Sequence, residues 1–326
     1  MTGGAGFIGS HLSRWLIDSG ADVRVIDDLS NADAETVDRL VERRSGACRF
    51  ILGSILEPEA LREAIEGADV VFHLAALGSV PRSIEDPGRT TDVNTLGTFR
   101  VVETARRCGV RRLVYAASSS VYGDSPEQPK VETMPARPMS PYGASKAAGE
   151  LLVRAWSTSY GLDGVSLRFF NVFGPGQRAD DPYAAVIPRF IEALLRGDRP
   201  TIYGDGTQSR DFCFIDNTVL AVLLGGSVQR RLNGEAINVG CGGRTSVLDL
   251  ARTLARLAEH EGIEPEFASA RTGDVPHSSA DIAKARELLG YEPLVTIEEG
   301  LRATLDHFKG DGEACWSESR GEHAGG

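Results

Sequence analysis

Between residues 23 and 170 short β-branched runs alternate with amphipathic stretches, and no other feature restricts the fold as strongly. Residues 23–27, 49–52, 70–74, 113–117 and 165–170 have the length and composition of strands. Residues 34–44, 58–66, 92–108 and 142–160 place apolar side chains three and four apart, the spacing of one helix face. Strand, helix, strand in repetition means parallel neighbours, so the expectation is an α/β protein with a Rossmann-like doubly wound parallel sheet covered on both faces. After Asn171 the rhythm breaks into Gly- and Pro-rich loops, with helices expected at 187–196, 247–261 and 281–289. That part reads as a smaller α/β lobe.

Composition narrows the class. With 41% hydrophobic and 25% charged residues the chain of 326 residues can bury a large core, which excludes a disordered protein. A net charge of −11 offers no basic field for a phosphate backbone, so nucleic acid is not an expected partner. No run approaches the ~20 apolar residues of a bilayer helix, so no membrane partner is expected. The five cysteines stand far apart, without CxxC pairs or metal-ligand spacing. They fit reduced thiols in a cytoplasm, and no metal is expected. No secretory leader precedes the first motif, which also favours a cytoplasmic location. Residues 310–326 lack apolar periodicity and read as a frayed tail.

The segment Thr2-Gly-Gly-Ala-Gly-Phe-Ile-Gly9 sets Gly3, Gly6 and Gly9 three apart, ahead of an amphipathic stretch at 10–19. A turn of this kind lets backbone N–H groups approach a pyrophosphate at a helix start. Asp27 closes the next strand 24 positions after Gly3, where a carboxylate accepts from the adenosine ribose and repels a 2′-phosphate. The expected cofactor is therefore NAD. However, the glycine run begins at position 3, so the strand that normally leads into it has no residues. A start assigned inside a longer reading frame is favoured over true loss of that strand, because loss would expose two ladder edges.

Tyr142 and Lys146 are spaced i and i+4, so they share one helix face. Proximity of an ammonium favours the phenolate. Bringing a Tyr pKa from about 10 toward 7 needs about 4 kcal/mol, which Lys146 and a cationic nicotinamide can supply together. Ser118, Ser119 and Ser120 follow a strand at its carboxyl end, where open α/β sheets bind ligands.

Taken with His73-Leu74-Ala75-Ala76, Asn94 and Arg168-Phe169-Phe170-Asn171, these features resemble the extended short-chain dehydrogenase/reductase family, within it the NAD-dependent nucleotide-sugar epimerases and dehydratases. The resemblance runs from Thr2 to about Lys309. Residues 75–83, Tyr183-Ala-Ala-Val-Ile-Pro188 and Ser209-Arg210-Asp211-Phe212 look most like bacterial UDP-N-acetylglucosamine 4-epimerases. It implies C4 epimerisation of a UDP-sugar through a transient 4-keto sugar. Tyr142 would be the acid/base, Lys146 would bind the nicotinamide ribose and depress the Tyr pKa, and Ser118 would hold the sugar O4. Besides the glycines, Phe7, Ile8 and Asp27, the resemblance gives NAD contacts to Asn31, Ser54, Ile55, Leu74, Ala75, Ala76, Asn94 and Phe169.

It gives the UDP-sugar to Ser79, Ser119, Ser120, Asn171, Ala185, Val186, Tyr203, Arg210, Arg271, Asp274 and Ser278. Ser54 stands where the family usually has an Asp for the adenine amine, which weakens that contact. Related dehydratases and decarboxylases carry acids where this chain has Ser119-Ser120, so those reactions are not expected. A small Ser278 leaves room for an N-acetyl group. Arg178 stands near the carboxylate-holding Arg of uronate epimerases, so a UDP-glucuronate 4-epimerase is the alternative; an inactive NAD-binding homologue is a further one. The implied organisation is an NAD-binding domain at 1–170, from which the chain passes to a UDP-sugar lobe at 171–309 and can return. A homodimer through helices 92–108 and 142–160 is implied as well.

Overall fold

The computed structural model describes residues 1–44, 46–178, 185–269 and 275–310. The first part of the chain runs α1 (Phe7–Asp18), β1 (Val23–Asp27), α2 (Ala34–Glu42), β2 (Cys48–Leu52), α3 (Pro58–Ile65), β3 (Val70–His73), α4 (Val80–Glu85) and α5 (Pro87–Thr91). A π-helical turn at Asp92–Leu96 leads into α6 (Gly97–Arg107), followed by β4 (Arg112–Ser118), α7 (Pro141–Tyr160) and β5 (Asp163–Phe169). Then come β6 (Val172–Phe173), α8 (Val186–Leu195), β7 (Thr201–Tyr203), β8 (Ser209–Arg210), β9 (Cys213–Phe214), α9 (Ile215–Ser227) and β10 (Glu235–Val239). The remainder is β11 (Thr245–Ser246), α10 (Val247–Leu257), β12 (Glu266–Ala268), β13 (His277–Ser278), α11 (Ala283–Leu289) and α12 (Ile297–Lys309).

Two parallel groups, β2-β1 and β3-β4-β5-β10, form the main sheet. Thr2 joins them through parallel bridges to Ile26 and to His73. Its N–H donates to Phe72 O at 3.0 Å and its carbonyl accepts from Leu74 N at 3.1 Å, while Gly3 N donates to Ile26 O at 2.9 Å. Met1 and Thr2 thus fill the carboxyl end of the central position, directly under the glycine turn.

β4 and β5 are buried along all seven residues, because helices cover both faces. Alternation sorts their side chains: Val114 and Ala116 join Leu12 of α1 and Val222 of α9 on one face. Leu113, Tyr115 and Ala117 join Leu61 of α3, Val101 of α6 and Val153 of α7 on the other. Each such aliphatic side chain contributes ~1.5–3 kcal/mol by leaving water. At the amino end of these strands Arg112 pairs with Asp163 at 2.7 Å, and Asp163 also accepts from Leu232 N and Asn233 N. A buried pair of this kind holds only because its remaining donors and acceptors are also satisfied.

The expected strands and early helices are present, with shifted ends. The first helix begins at Phe7, not residue 10, because Gly6 is its cap. The helix expected to reach 261 stops at Leu257, where Glu259 turns to φ +62°. The helix expected from 281 begins at Ala283, whose N–H the Asp281 carboxylate takes at 2.8 Å. α9 and β10 were not anticipated: both follow residue 171, yet α9 packs on α1 and β4 and β10 pairs with β5. Except for Gly310, the expected tail lies outside the described residues. Among those residues no helix is long and apolar enough to cross a membrane.

Candidate active site

The glycine turn works by close approach. Gly3 has φ +69°, and a Cβ there would lie 2.5 Å from Ala75 N; one at Gly9 would lie 2.0 Å from Gly3 O. Only glycine lets β1, β3 and α1 converge so tightly. Helix α1 has no side-chain cap and no acid in its first turn. Its leading N–H groups, which have no carbonyl partner within the helix, border a cleft of about 1130 Å³. Asp27, at the end of β1, accepts from Ala5 N at 3.0 Å and Leu29 N at 2.9 Å. Burial raises its pKa and these hydrogen bonds oppose the rise.

Gly3, Gly6, Phe7, Ile8, Gly9, Asn31, Leu74, Ala76, Ser79 and Phe169 all line this cleft, and so do Tyr142 and Lys146. Five expected contacts, Asp27, Ser54, Ile55, Ala75 and Asn94, are not among its lining residues. Ile55 is buried in the core, where a Cβ on Gly97 of α6 would come within 2.5 Å of it. Ser54 spends its hydroxyl on Leu56 N at 3.2 Å. Asn94, in the π-helical turn, is buried behind the wall; its amide holds both backbone groups of Leu77 and donates to Ser145 Oγ. It positions the cleft rather than lining it. Ala75 is packed against Gly3.

Tyr142 and Lys146 project from the first two turns of α7, which lies close on β4 because Gly149 has no Cβ to meet the Tyr115 hydroxyl. Lys146 Nζ donates to Ala116 O at 2.8 Å and stands 5.9 Å from the centre of the Tyr142 ring. Burial brings the Lys146 pKa down to about 8, against the pull of Glu150 one turn on. Burial pushes the Tyr142 pKa up, and the neighbouring Ser118 hydroxyl works against it. Within the chain itself desolvation of the phenolate prevails, and the Lys146 ammonium is bonded to the Ala116 carbonyl. Ser118 ends β4 and its Oγ donates to Ser120 Oγ at 3.0 Å, with Ser119 in the same short turn.

Beneath Lys146, Glu150 receives both arms of Arg168, at 2.9 and 2.7 Å. Arg168 also donates to Tyr122 Oη, which donates to Asn238 Oδ1 at 2.6 Å. The charge of Glu150 is thereby shared with a buried guanidinium.

A second cavity of about 760 Å³ gathers Asn171, Ala185, Val186, Tyr203 and Arg210. Asn171, held at φ +22°, donates to Asp211 O at 3.2 Å. Ser278 lies in β13, opposite Arg210 of β8. Arg271 and Asp274 lie outside the described residues. Phe212 and Arg189 are among the lining residues that were not expected, the latter with its guanidinium 6.0 Å from the Tyr203 ring centre. Phe212 follows the Ser-Arg-Asp run directly and could have been read from it. Arg178 lines the first cleft and pairs with Asp33 at 3.5 Å, on the side of the loop after β1.

A model of the NAD dependent epimerase/dehydratase family matches residues 1–240. The chain belongs to that family. It is 40% identical over 313 residues to a UDP-glucose 4-epimerase of Mycolicibacterium smegmatis, covering 95% of this chain and 97% of the relative. It superposes with a TM-score of 0.89, at 37% identity, on a UDP-N-acetylglucosamine 4-epimerase from Methanobrevibacter ruminantium in complex with UDP-N-acetylmuramic acid, covering 95% of this chain and 97% of that one. A UDP-glucuronic acid 4-epimerase from Bacillus cereus in complex with UDP-glucuronic acid and NAD gives 0.86 at 32% identity, covering 95% and 98%. As in this family generally, the cofactor is NAD. The uncapped start of α1, the glycine turn and the strand-terminal Asp27 fit the pyrophosphate and ribose of that dinucleotide.

Proposed function

We propose that the chain is a UDP-sugar 4-epimerase that inverts C4 of UDP-N-acetylglucosamine/UDP-N-acetylgalactosamine, of UDP-glucose/UDP-galactose, or of both pairs. The observation that carries the reading is that Tyr142 and Lys146 line the same cleft as the glycine turn, with the Ser118 hydroxyl neighbouring the phenol. In this reading Tyr142 removes the proton of the C4 hydroxyl and later returns it, while Ser118 holds the sugar oxygen. Bound NAD supplies the hydride acceptor and donor and, when oxidised, a positive charge. Lys146 supplies a fixed second positive charge on the same helix face, and the Ser118 hydroxyl, once turned from Ser120 to the phenol, would favour the phenolate as well. These contributions must overcome the burial that favours the neutral phenol.

Asn171, Ala185, Val186, Tyr203 and Arg210 would bind the uridine diphosphate, with Arg210 giving charged hydrogen bonds to phosphate. Arg271 and Asp274 are assigned there by resemblance alone. Ser79 and Ser278 would border the sugar, and the small side chain of Ser278 accommodates an N-acetyl group. Arg178 pairs with Asp33 at an exposed site, a weak contact that a uronate carboxylate could replace, so UDP-glucuronate is included in the assay. The backbone bonds that fix Thr2 and Gly3 between β1 and β3 speak for a formed turn, against an inactive homologue. Separate incubation with UDP-N-acetylglucosamine, UDP-glucose and UDP-glucuronate tests the reading. A C4-inverted product from either of the first two supports it, and none from any of the three ends it.

The division into an NAD domain at 1–170, to which the chain returns with α9 and β10, and a UDP-sugar lobe made from the rest of 171–309, and a cytoplasmic location, belong to the same reading. So does a homodimer. Phe99 of α6 and Leu151 and Tyr160 of α7 are exposed apolar side chains, and Phe99, Trp156 and Tyr160 stack in series along these two helices. Packing this face against its copy would bury it; sedimentation as a monomer at micromolar concentration would refute the dimer.

A further inference from the structure

Two of the cysteines that stand 28 positions apart in sequence, Cys213 and Cys241, meet behind the second cavity. Cys213 lies in β9 and is fully buried, while Cys241 follows β10 and is partly exposed. Both sulfurs face adjacent residues of α9, Asn217 and Thr218, and lie next to each other. Thr218 Oγ1 donates to Cys213 Sγ at 3.4 Å, and Asn217 Nδ2 donates to Cys241 Sγ at 3.6 Å. Asn217 stands in the first turn of the 13-residue α9, so the Cys241 sulfur sits at the amino end of a helix, where a thiolate is stabilised. On the far side Tyr291 Oη, 3.9 Å from Cys213 Sγ, closes the site while donating to Gly240 O.

We propose that Cys213 and Cys241 form a reversible internal disulfide on encounter with a low-molecular-weight disulfide such as oxidised glutathione. Cys241, which solvent can reach, is the attacking thiol, and Cys213, reached only through it, is the resolving one. The Cys241 thiolate bonds to one sulfur of the reagent and expels the other as a thiolate, which takes up the proton that Cys241 released. The Cys213 sulfur then bonds to the Cys241 sulfur, and its proton goes to the second departing thiolate. The protein loses two electrons and the reagent becomes two thiols. The neighbours of Cys241 lower its pKa, which favours it as the attacking thiolate, while Cys213 is raised and attacks only once it is held against the mixed disulfide.

The bond would be felt in the second cavity. Cys213 N donates to Asn171 O at 3.2 Å, and Cys241 N donates to the carboxylate of Asp211, whose carbonyl accepts from Asn171.

The test is to incubate the full chain in glutathione redox buffers, alkylate the remaining thiols, and map peptides without reduction. The expected result is one linked pair, Cys213 with Cys241, two fewer alkylated thiols than the five of the reduced chain, and full reversal by dithiothreitol. Cys241→Ser, at a partly exposed position, should lose the link and take up no glutathione at that residue; Cys213→Ser should leave Cys241 carrying glutathione. A linkage between other cysteines, an unreactive Cys241, or a wild-type Cys241 that keeps glutathione without passing it to Cys213 would overturn the proposal.

Discussion

The two cavities are built in opposite ways. The first is walled by backbone at the carboxyl ends of parallel strands, where Gly3, Gly9 and the start of α1 leave no room for a side chain. The second is walled by side chains carried on strands of two or three residues and on one face of α8. A dinucleotide needs many N–H groups at fixed spacing, which a rigid sheet edge provides. A nucleotide-sugar needs chosen side chains, which short strands and loops can exchange without disturbing the sheet.

The largest test of that contrast is Tyr142→Phe, which removes one oxygen from the first cavity and none of its backbone. Turnover should fall by about 10²–10⁴-fold while bound NAD, read by its release on denaturation, is unchanged. Next is Glu150→Gln. It leaves Arg168 with a buried, uncompensated charge and should cost about 3–5 kcal/mol in urea unfolding, which a surface pair such as Arg39–Glu35 would not. The second cavity should respond differently. Arg210→Ala should weaken UDP binding by roughly 10- to 100-fold through the loss of charged hydrogen bonds, with NAD content and unfolding midpoint nearly unaffected.

The smallest effect near neutrality is that of acid. His73, between Thr2 and Thr98, is lowered to about 3 and His11, bonded to Pro175 O, to about 4, in both cases chiefly by burial. Below their ordinary pKa of about 6.5 the unfolded chain binds protons that the folded chain refuses. Stability should therefore fall progressively as pH drops from 6.5 toward 4. A flat urea midpoint over that range would contradict the assignment, and NAD should leave before UDP affinity changes.

The same contrast decides what was legible in the sequence. Gly3, Asp27, Tyr142 and Lys146 could be read because their signals are local: a turn, a strand end, an i, i+4 pair on one helix. Ile55 misled, because no spacing tells that its side chain turns under α6 instead of into the cleft. α9 was hidden because Ile215–Ser227 is apolar nearly all round, being buried between α1 and the sheet, and so shows no amphipathic period. Arg189 became visible only when α8, β7 and β8 were brought round one cavity.

The excursion that leaves the sheet at Asn171 and comes back with α9 and β10 has a consequence for how such a protein can be rearranged. A fragment cut after β5 would bare the edge that β10 covers and the floor that α9 fills. Its two halves are therefore not exchangeable cassettes: new substrate preferences must be grafted loop by loop onto a frame whose last strand is made only after the graft.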